Sequence, residues 1–174
     1  IAYQSWKSVG RPSAGHRLES HVVELMRNDQ SDEVKRGWWI TEELLGKAGR
    51  LAKADGFTLA MFIIPTIYEA DSGLFSELVS AQQLTASELN RDKPVETLMA
   101  ILEREDIWAI NLLPDLRARS HTPGRQFYIQ GDGHFNEEGH EVAVSIVSRE
   151  LAGKIRELGK SKQCGQNKMV ATGK

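Results

Sequence analysis

The sequence has very little cysteine and no long hydrophobic run. Its one cysteine, Cys164, cannot form an intrachain disulfide and excludes a zinc site built from several cysteines. Because many secreted proteins also lack disulfides, this leaves secreted, periplasmic and cytoplasmic locations all open. The longest apolar run, residues 59–65, is far too short to cross a bilayer. No signal-peptide pattern is visible, although a first residue of Ile rather than Met is compatible with a removed leader.

The sequence also lacks a strong charge of either sign. It has 24 acidic and 22 basic side chains, for a net charge of −2. Nucleic acids and anionic membranes normally require a basic excess, so the composition argues against both as main partners. There is no internal repeat and no phosphate-cradling glycine loop, and no pattern calls for a cofactor. A length of 174 residues with 40% apolar content suits one domain with a sizeable core.

Hydrophobic periodicity predicts alternating helices and strands, which is typical of an α/β domain. The first predicted strand is a continuous apolar run, as in a buried parallel strand that helices cover on both faces. The predicted strands are 57–64 and 107–112, the predicted helices 16–27, 41–55, 74–80, 92–103 and 136–158, and the predicted loops 31–36 and 114–125.

The ends and faces of these helices follow from particular residues. Thr41 is a good N-cap, and Gly56 and Gly159 are typical helix stops. The polar, basic stretch 160–174 has little to bury, so we expect a mobile tail there. In the last helix the apolar residues at helical spacing, which we predict to face the core, are Val144, Val147, Leu151, Ile155 and Leu158.

An aspartate and a histidine lie two positions apart in the glycine-containing stretch 131–140. A histidine that acts as general base needs a carboxylate to hold its tautomer and to stabilise its imidazolium, and Asp132 and His134 fit that need. A purely structural interpretation is also open, namely a polar loop in which Asn136 caps the next helix. A third interpretation is a metal site formed by Asp132, His134 and His140.

The sequence Asp-Gly-His-Phe-Asn-x-x-Gly-His at residues 132–140, followed by an apolar helix, resembles the last conserved block of the SGNH (GDSL-type) hydrolases. Weaker matches lie upstream, in Ile-Ile-Pro at 63–65, Leu-Leu-Pro at 112–114 and Phe-Tyr at 127–128. The resemblance extends over about residues 38–158.

The resemblance implies a three-layer αβα fold with a mostly parallel, flavodoxin-like sheet. It implies a serine esterase, acyl hydrolase or O-acyltransferase that works through an acyl-serine and needs no cofactor. His134 would be the general base and then the acid, and Asp132 would orient it. The implied substrate is a small-molecule, carbohydrate or lipid ester.

The Gly-Asp-Ser block that opens this family's domain has no recognisable copy here. Ser5, Ser8 and Ser72 imitate a nucleophile, but none of them follows an apolar strand. The two predicted strands, even with one more short strand, are also fewer than the usual four to six or so. We therefore expect residues 1–159 to be the C-terminal portion of one SGNH-like domain, incomplete at its N-terminus, with the serine upstream of Ile1.

Two further expectations concern the oxyanion and the open sheet. Asn28-Asp29 imitates the family's Gly-x-Asn-Asp block, in which Asn28 would donate to the oxyanion, although a helix C-terminus is the better explanation of these residues. A strand whose sequence suits pairing on both edges should make the chain self-associate or pair with a missing N-terminal segment.

The rival function is a binding or structural module that keeps the fold without catalysis.

Overall fold

The computed structural model describes residues 21–120, 126–129 and 132–171, with side chains to residue 159. These residues form a mixed α/β structure that is mainly helical and contains a small parallel sheet. In chain order the elements are helical residues 21–26 (α1), α2 (Asp32–Ala54), β1 (Ala60–Ile63), α3 (Ile67–Ala70), α4 (Ser72–Ala81), a 3-10 turn (Ala86–Glu88), α5 (Lys93–Arg104), β2 (Trp108–Asn111), α6 (Leu113–Ser120) and α7 (Glu137–Ala171).

The two strands lie where the apolar runs predicted them, and they pair in parallel. The expectation that the first strand is covered on both faces is wrong. Phe62 and Ile64 are each 54% exposed, although Phe62 is in register with the buried Ile110. One sheet face is thus covered at β2 and open at β1. Self-association through this open strand stays a prediction.

The main core lies around β2 and around the loops that follow both strands. Burying these apolar side chains is the principal stabilising term of the fold. The buried members of this core are Ile63, Ala70, Val95, Leu102, Ile107, Ile110, Leu112, Leu113, Leu116, Phe127, Tyr128, Phe135, Val142 and Ile146. A second, smaller core joins α1 to α4, and its buried members are Val22, Val23, Met26, Leu78, Val79 and Leu89.

Helix α2 begins nine residues before the predicted cap at Thr41, and residues 32–36 of the predicted loop are part of it. Ser31 is the actual N-cap, since its hydroxyl accepts a hydrogen bond from the Val34 amide at 3.3 Å. Asp32 and Glu33 follow in the first turn, where negative charge stabilises a helix. Charge was therefore a helix-start signal here, and the prediction of a solvated loop is wrong.

The predicted loop 114–125 is wrong in its first half, because α6 starts directly after β2. The side chain of Asn111 accepts a hydrogen bond from the Leu113 amide at 2.9 Å and so begins the helix. Pro114 is tolerated in a first turn, and Leu116 is fully buried in the main core. Residues 121–125 lie outside the described residues.

Helix α7 differs from the prediction in its end and in its inner face. Gly159 does not end the helix, which continues to Ala171. Val142 and Ile146 pack in the core, whereas Val144 is 64% and Ile155 67% exposed. Val147 does pack against the core, so the predicted face is right for Val147 and wrong for Val144 and Ile155. Mobility of the last residues stays a prediction.

Several local predictions are confirmed. The predicted helix 74–80 is present as α4, which the Asp71 carboxylate caps by accepting hydrogen bonds from the Gly73 and Leu74 amides. The predicted helix 92–103 is present as α5, which carries its proline in the first turn and buries Ile101 and Leu102. These features depend on neighbours within one or two turns, which a sequence displays directly.

Candidate functional site

The Asp-His loop is the turn of a short antiparallel hairpin. The Ile129 amide donates to the His134 carbonyl at 2.8 Å, and the Asn136 amide donates to the Phe127 carbonyl at 3.0 Å. Gly133 has a φ of 81°, a left-handed conformation that favours glycine, so the turn depends on it. The hairpin places the residues around the turn next to each other.

Asp132 and His134 meet within this turn. The Asp132 Oδ1 contacts the His134 Nδ1, so the predicted contact is present. A carboxylate at Nδ1 favours the tautomer that keeps its proton there and leaves the Nε2 lone pair as acceptor. Within the described ranges no side chain contacts that Nε2 atom. The pair is open to solvent, with the His134 side chain 83% and the Asp132 side chain 50% exposed.

The hairpin is attached to the carboxyl end of β1. The Tyr128 hydroxyl donates to the Pro65 carbonyl at 2.9 Å, two residues beyond the strand. The Tyr128 and Phe135 rings pack with centroids 5.0 Å apart. Burial, with a smaller effect of Glu69, raises the pKa of Tyr128, so its hydroxyl remains protonated and able to donate. Ligand sites of parallel α/β sheets lie at this end of the strands.

The other side of the hairpin leads directly into α7. The Asn136 side chain accepts a hydrogen bond from the Gly139 amide at 2.9 Å, which is the cap that the sequence predicted. Gly139 lies so close to the hairpin that a Cβ there would approach the Phe127 carbonyl oxygen to 2.1 Å. The start of α7 therefore packs closely against the hairpin that carries the Asp-His turn.

The metal interpretation of Asp132, His134 and His140 finds no support in this geometry. The His140 ring packs edge-on against Phe135, with centroids 5.8 Å apart. Among the side chains that the structure describes, no group of three His, Cys, Asp or Glu residues could hold a metal ion.

Asn28 is engaged elsewhere in the fold. Its side-chain amide donates to the Ser87 carbonyl at 2.8 Å, and its own carbonyl accepts from the Lys93 Nζ at 2.9 Å. No recorded contact joins it to Asp132 or His134 within the described part of the chain. The structure therefore does not bring the predicted oxyanion donor to the Asp-His pair, and that role stays a prediction.

The serines that imitate a nucleophile are not brought to His134 either. Ser72 is the first residue of α4, where Asp71 caps the helix. No contact between Ser72 and His134 is recorded among the described side chains. Ser5 and Ser8 lie outside the described residues.

A cavity of about 310 Å³ lies beside the hairpin. The sequence did not predict it, because its walls come from segments far apart in the chain: α3, α4, the end of α6 and residues 126–128. The segment 126–128 connects the cavity with the Asp-His loop. The lining consists of Ile67, Ala70, Asp71, Gly73, Leu74, Glu77, Ser120, Gln126, Phe127 and Tyr128.

Sequence analysis also missed the buried carboxyl group of Glu69. Glu69 is only 3% exposed and forms a capping box, in which one carboxyl oxygen accepts from the Thr66 amide at 2.7 Å. The other oxygen, Oε1, is buried without a hydrogen-bond partner among the described residues. Burial therefore raises the pKa of Glu69 above the ordinary value of 4.5, against the opposing effect of the Thr66 hydrogen bonds. The signal in the sequence was Thr66-x-x-Glu69, a capping-box pattern.

Glu69 should make the protein less stable as the pH rises. Its raised pKa contributes stability that is complete below pH 4.5 and is lost as the pH rises through the folded-state pKa. Glu69→Gln keeps an acceptor for the Thr66 amide and removes the charge. We expect the melting temperature of this variant to fall less between pH 4.5 and pH 8 than that of the unmodified protein, as measured by thermal denaturation.

Glu88→Gln is the matched control, since Glu88 forms a second capping box with Thr85 but is exposed. Hydrogen bonds from Thr85 lower the pKa of Glu88, so its contribution is lost as the pH falls through that lower pKa. This variant should alter only the acid side of the profile. Identical profiles of melting temperature against pH for Glu69→Gln and the unmodified protein would contradict the inference that burial raises the pKa of Glu69.

Comparisons of the chain with protein-family models, with curated proteins and with solved structures gave no match. Of the helices that the structure describes, none is both long enough and apolar enough to span a bilayer. Function must therefore be argued from the site itself, which is an Asp-His pair on a hairpin at the carboxyl end of a parallel strand.

Proposed function

We propose that this chain supplies the histidine and the aspartate of a Ser-His-Asp triad in an esterase, acyl hydrolase or O-acyltransferase. The observation that carries the proposal is the contact of Asp132 with the His134 Nδ1, which leaves Nε2 open toward solvent. The likeness of residues 132–140 to the SGNH closing block supports the same assignment.

The proposal includes a fold that is more specific than a mixed α/β structure. A three-layer αβα domain with a flavodoxin-like sheet requires more strands than β1 and β2. The exposed Phe62 and Ile64 are compatible with further structure packing on β1. In that arrangement the nucleophilic serine comes from a segment outside these 174 residues, because no Gly-Asp-Ser block occurs within them.

The chemistry follows from the two ring nitrogens. Nε2 takes the proton of the serine hydroxyl while the serine oxygen bonds to the ester carbonyl carbon. Asp132 stabilises the resulting imidazolium through Nδ1. Collapse of the tetrahedral intermediate breaks the bond to the alcohol oxygen, and Nε2 returns the proton to that alcohol. Water or an acceptor hydroxyl then attacks the acyl carbon while Nε2 takes its proton. Collapse of the second intermediate breaks the bond to the serine oxygen, which receives that proton from Nε2.

The cavity beside the hairpin gives this reaction a place for substrate. Its walls include Ile67, Leu74 and Phe127 together with the polar side chains of Asp71 and Ser120. Ligand sites commonly combine apolar walls with a few polar groups in this manner. We assign the cavity to a substrate group next to the scissile ester.

The test is hydrolysis of p-nitrophenyl acetate by two proteins, the 174-residue chain and a longer protein that includes its N-terminal neighbours. Loss of the nucleophile from a triad costs nearly as much as loss of the whole triad, so we expect no burst and negligible turnover from the chain alone. The longer protein should be active and should be inactivated by a serine-directed organophosphonate. Turnover by the chain alone that this reagent abolishes would place the nucleophile within it, at Ser5, Ser8 or Ser72.

A non-catalytic binding module is the second candidate. The observation that favours it is the exposure of His134, which in the described residues faces no nucleophile and lies outside the lining of the cavity. A longer protein that binds an ester and hydrolyses neither that ester nor p-nitrophenyl acetate would support this candidate.

A further inference from the structure

A second, smaller cavity of about 80 Å³ adjoins the first one. The two cavities share Ala70, Asp71 and Ser120 in their linings, so they form neighbouring compartments of one cleft. The smaller compartment differs in chemistry, because two guanidinium groups, those of Arg91 and Arg117, form part of its wall.

Arg117 is held firmly in place. Its Nε donates to the Glu69 carbonyl at 2.8 Å, and its Nη2 is paired with the Asp92 carboxylate. The Arg117 side chain is largely buried in this position. Asp92 therefore neutralises Arg117 and is oriented toward it.

Arg91 has no such partner. Its guanidinium carbon lies over the Phe75 ring, 5.8 Å from the centroid, and within the described ranges it forms no ion pair. Asp71, also in the compartment wall, uses one carboxylate oxygen to cap α4 through the Gly73 and Leu74 amides. Partial burial, and secondarily the repulsion by Arg117, lower the pKa of Arg91, although Asp92 and Asp71 oppose that shift. The negative charge of a bound anion would offset both the desolvation of Arg91 and its repulsion by Arg117.

We infer that Arg91, beside the Asp92-paired Arg117, forms a subsite for a carboxylate carried by the ester substrate, so that the proposed hydrolase acts on anionic esters. A volume of about 80 Å³ is enough to hold a carboxylate. Guanidinium groups bind carboxylates through paired hydrogen bonds. The negative charge of Asp71 in the wall opposes a phosphate dianion more strongly than a singly charged carboxylate. That the bound carboxylate belongs to a substrate rests on the proposed function, whereas anion binding at this site can be tested separately.

The binding test uses sodium suberate, a dicarboxylate, against sodium chloride at equal ionic strength. Arginine side-chain Nε–H signals are followed by NMR in the complete 174-residue chain. We expect suberate to shift the Arg91 and Arg117 signals and to leave that of Arg50, an exposed arginine beside Glu105, in place. Arg91→Gln should weaken binding about tenfold or more, and Arg91→Lys should restore part of it. Unchanged Arg91 and Arg117 signals, or tighter binding of phenyl phosphate than of suberate, would overturn the carboxylate subsite.

The activity test uses mono-p-nitrophenyl esters of dicarboxylic acids from succinate to suberate, each beside its neutral methyl ester. In the longer, serine-containing protein we expect one chain length to be preferred at least about tenfold in kcat/KM over its methyl ester. Arg91→Gln should remove that preference through KM, whereas Arg50→Gln should retain it.

The two proposals fail in different ways. Suberate binding at Arg91 without hydrolysis of any ester would retain the anion subsite and reject the triad. Equal hydrolysis of acidic and methyl esters at every length, with His134-dependent turnover, would retain the triad and reject the subsite. Circular dichroism of Arg91→Gln checks that its fold is unchanged.

Discussion

Replacing His134 by alanine should lower the kcat for ester hydrolysis by about a millionfold in the protein that carries the complete triad. The reason is that His134 has two tasks that no other described side chain can perform, since Nε2 accepts the serine proton and later protonates the leaving alcohol. Only binding and oxyanion stabilisation would remain, and they leave a small residual rate. The measurement is the pre-steady-state burst and the steady-state rate with p-nitrophenyl acetate.

Three companion variants make this result specific. His21→Ala removes an exposed imidazole that lies on α1, and it should leave the rate unchanged. His140→Ala separates the triad from the metal interpretation, because only a metal site formed by Asp132, His134 and His140 requires that ring. Asp132→Asn keeps the shape but favours the wrong tautomer, and we expect a loss of about 10⁴-fold. Activity that is indifferent to His134 would leave the binding module as the better assignment.

The Asp-His contact could be predicted from the sequence because everything that makes it is local. Residues 132 and 134 are two positions apart, Gly133 supplies the positive φ, and Asn136 caps the next helix. Each of these features acts over one turn of chain. The position of the loop against the sheet was less accessible, because it depends on the Tyr128 hydroxyl reaching the Pro65 carbonyl across 63 residues.

The fold was predictable to the same extent and for the same reason. Both strands follow from their apolar runs, and the cap of α4 follows from Asp71. The inner face of α7 did not follow, because Val144 and Val142 are equally apolar and only contacts with distant residues distinguish them. A hydrophobic pattern indicates that a helix has an apolar face, but the partner decides which residues the core receives.

The cleft is the part that no local pattern could reveal. Arg91 and Arg117 lie 26 positions apart, and each is unremarkable among the 22 basic residues of the chain. Their significance comes from α3, α4 and α6 meeting at one end of the sheet, where Glu69 and Asp71 also lie. Long-range packing thus creates the proposed substrate site, whereas short-range sequence creates the candidate catalytic pair.

Gly139→Ala should damage both the stability and the candidate site. A Cβ at this position would lie 2.1 Å from the Phe127 carbonyl oxygen and 2.9 Å from a Phe135 ring carbon. The carbonyl is backbone and accepts the Asn136 amide at 3.0 Å, so it cannot move without opening the hairpin. We expect a loss of about 1–3 kcal/mol or more in the free energy of unfolding, measured by urea denaturation. A displacement of His134 by about 1 Å would also cost about a hundredfold in kcat.

Gly153→Ala is the matched control, because it makes the same change in the same helix. A Cβ at Gly153 meets nothing within 4 Å, so alanine should stabilise α7 by about 0.5–1 kcal/mol through its higher helix propensity. The two variants should therefore shift the urea midpoint in opposite directions, and only Gly139→Ala should lower ester hydrolysis. If both variants stabilise the protein, the close approach of α7 to the hairpin is incorrect. If Gly139→Ala unfolds more easily yet keeps full activity, the hairpin does not position His134 for catalysis, and the triad assignment loses its structural support.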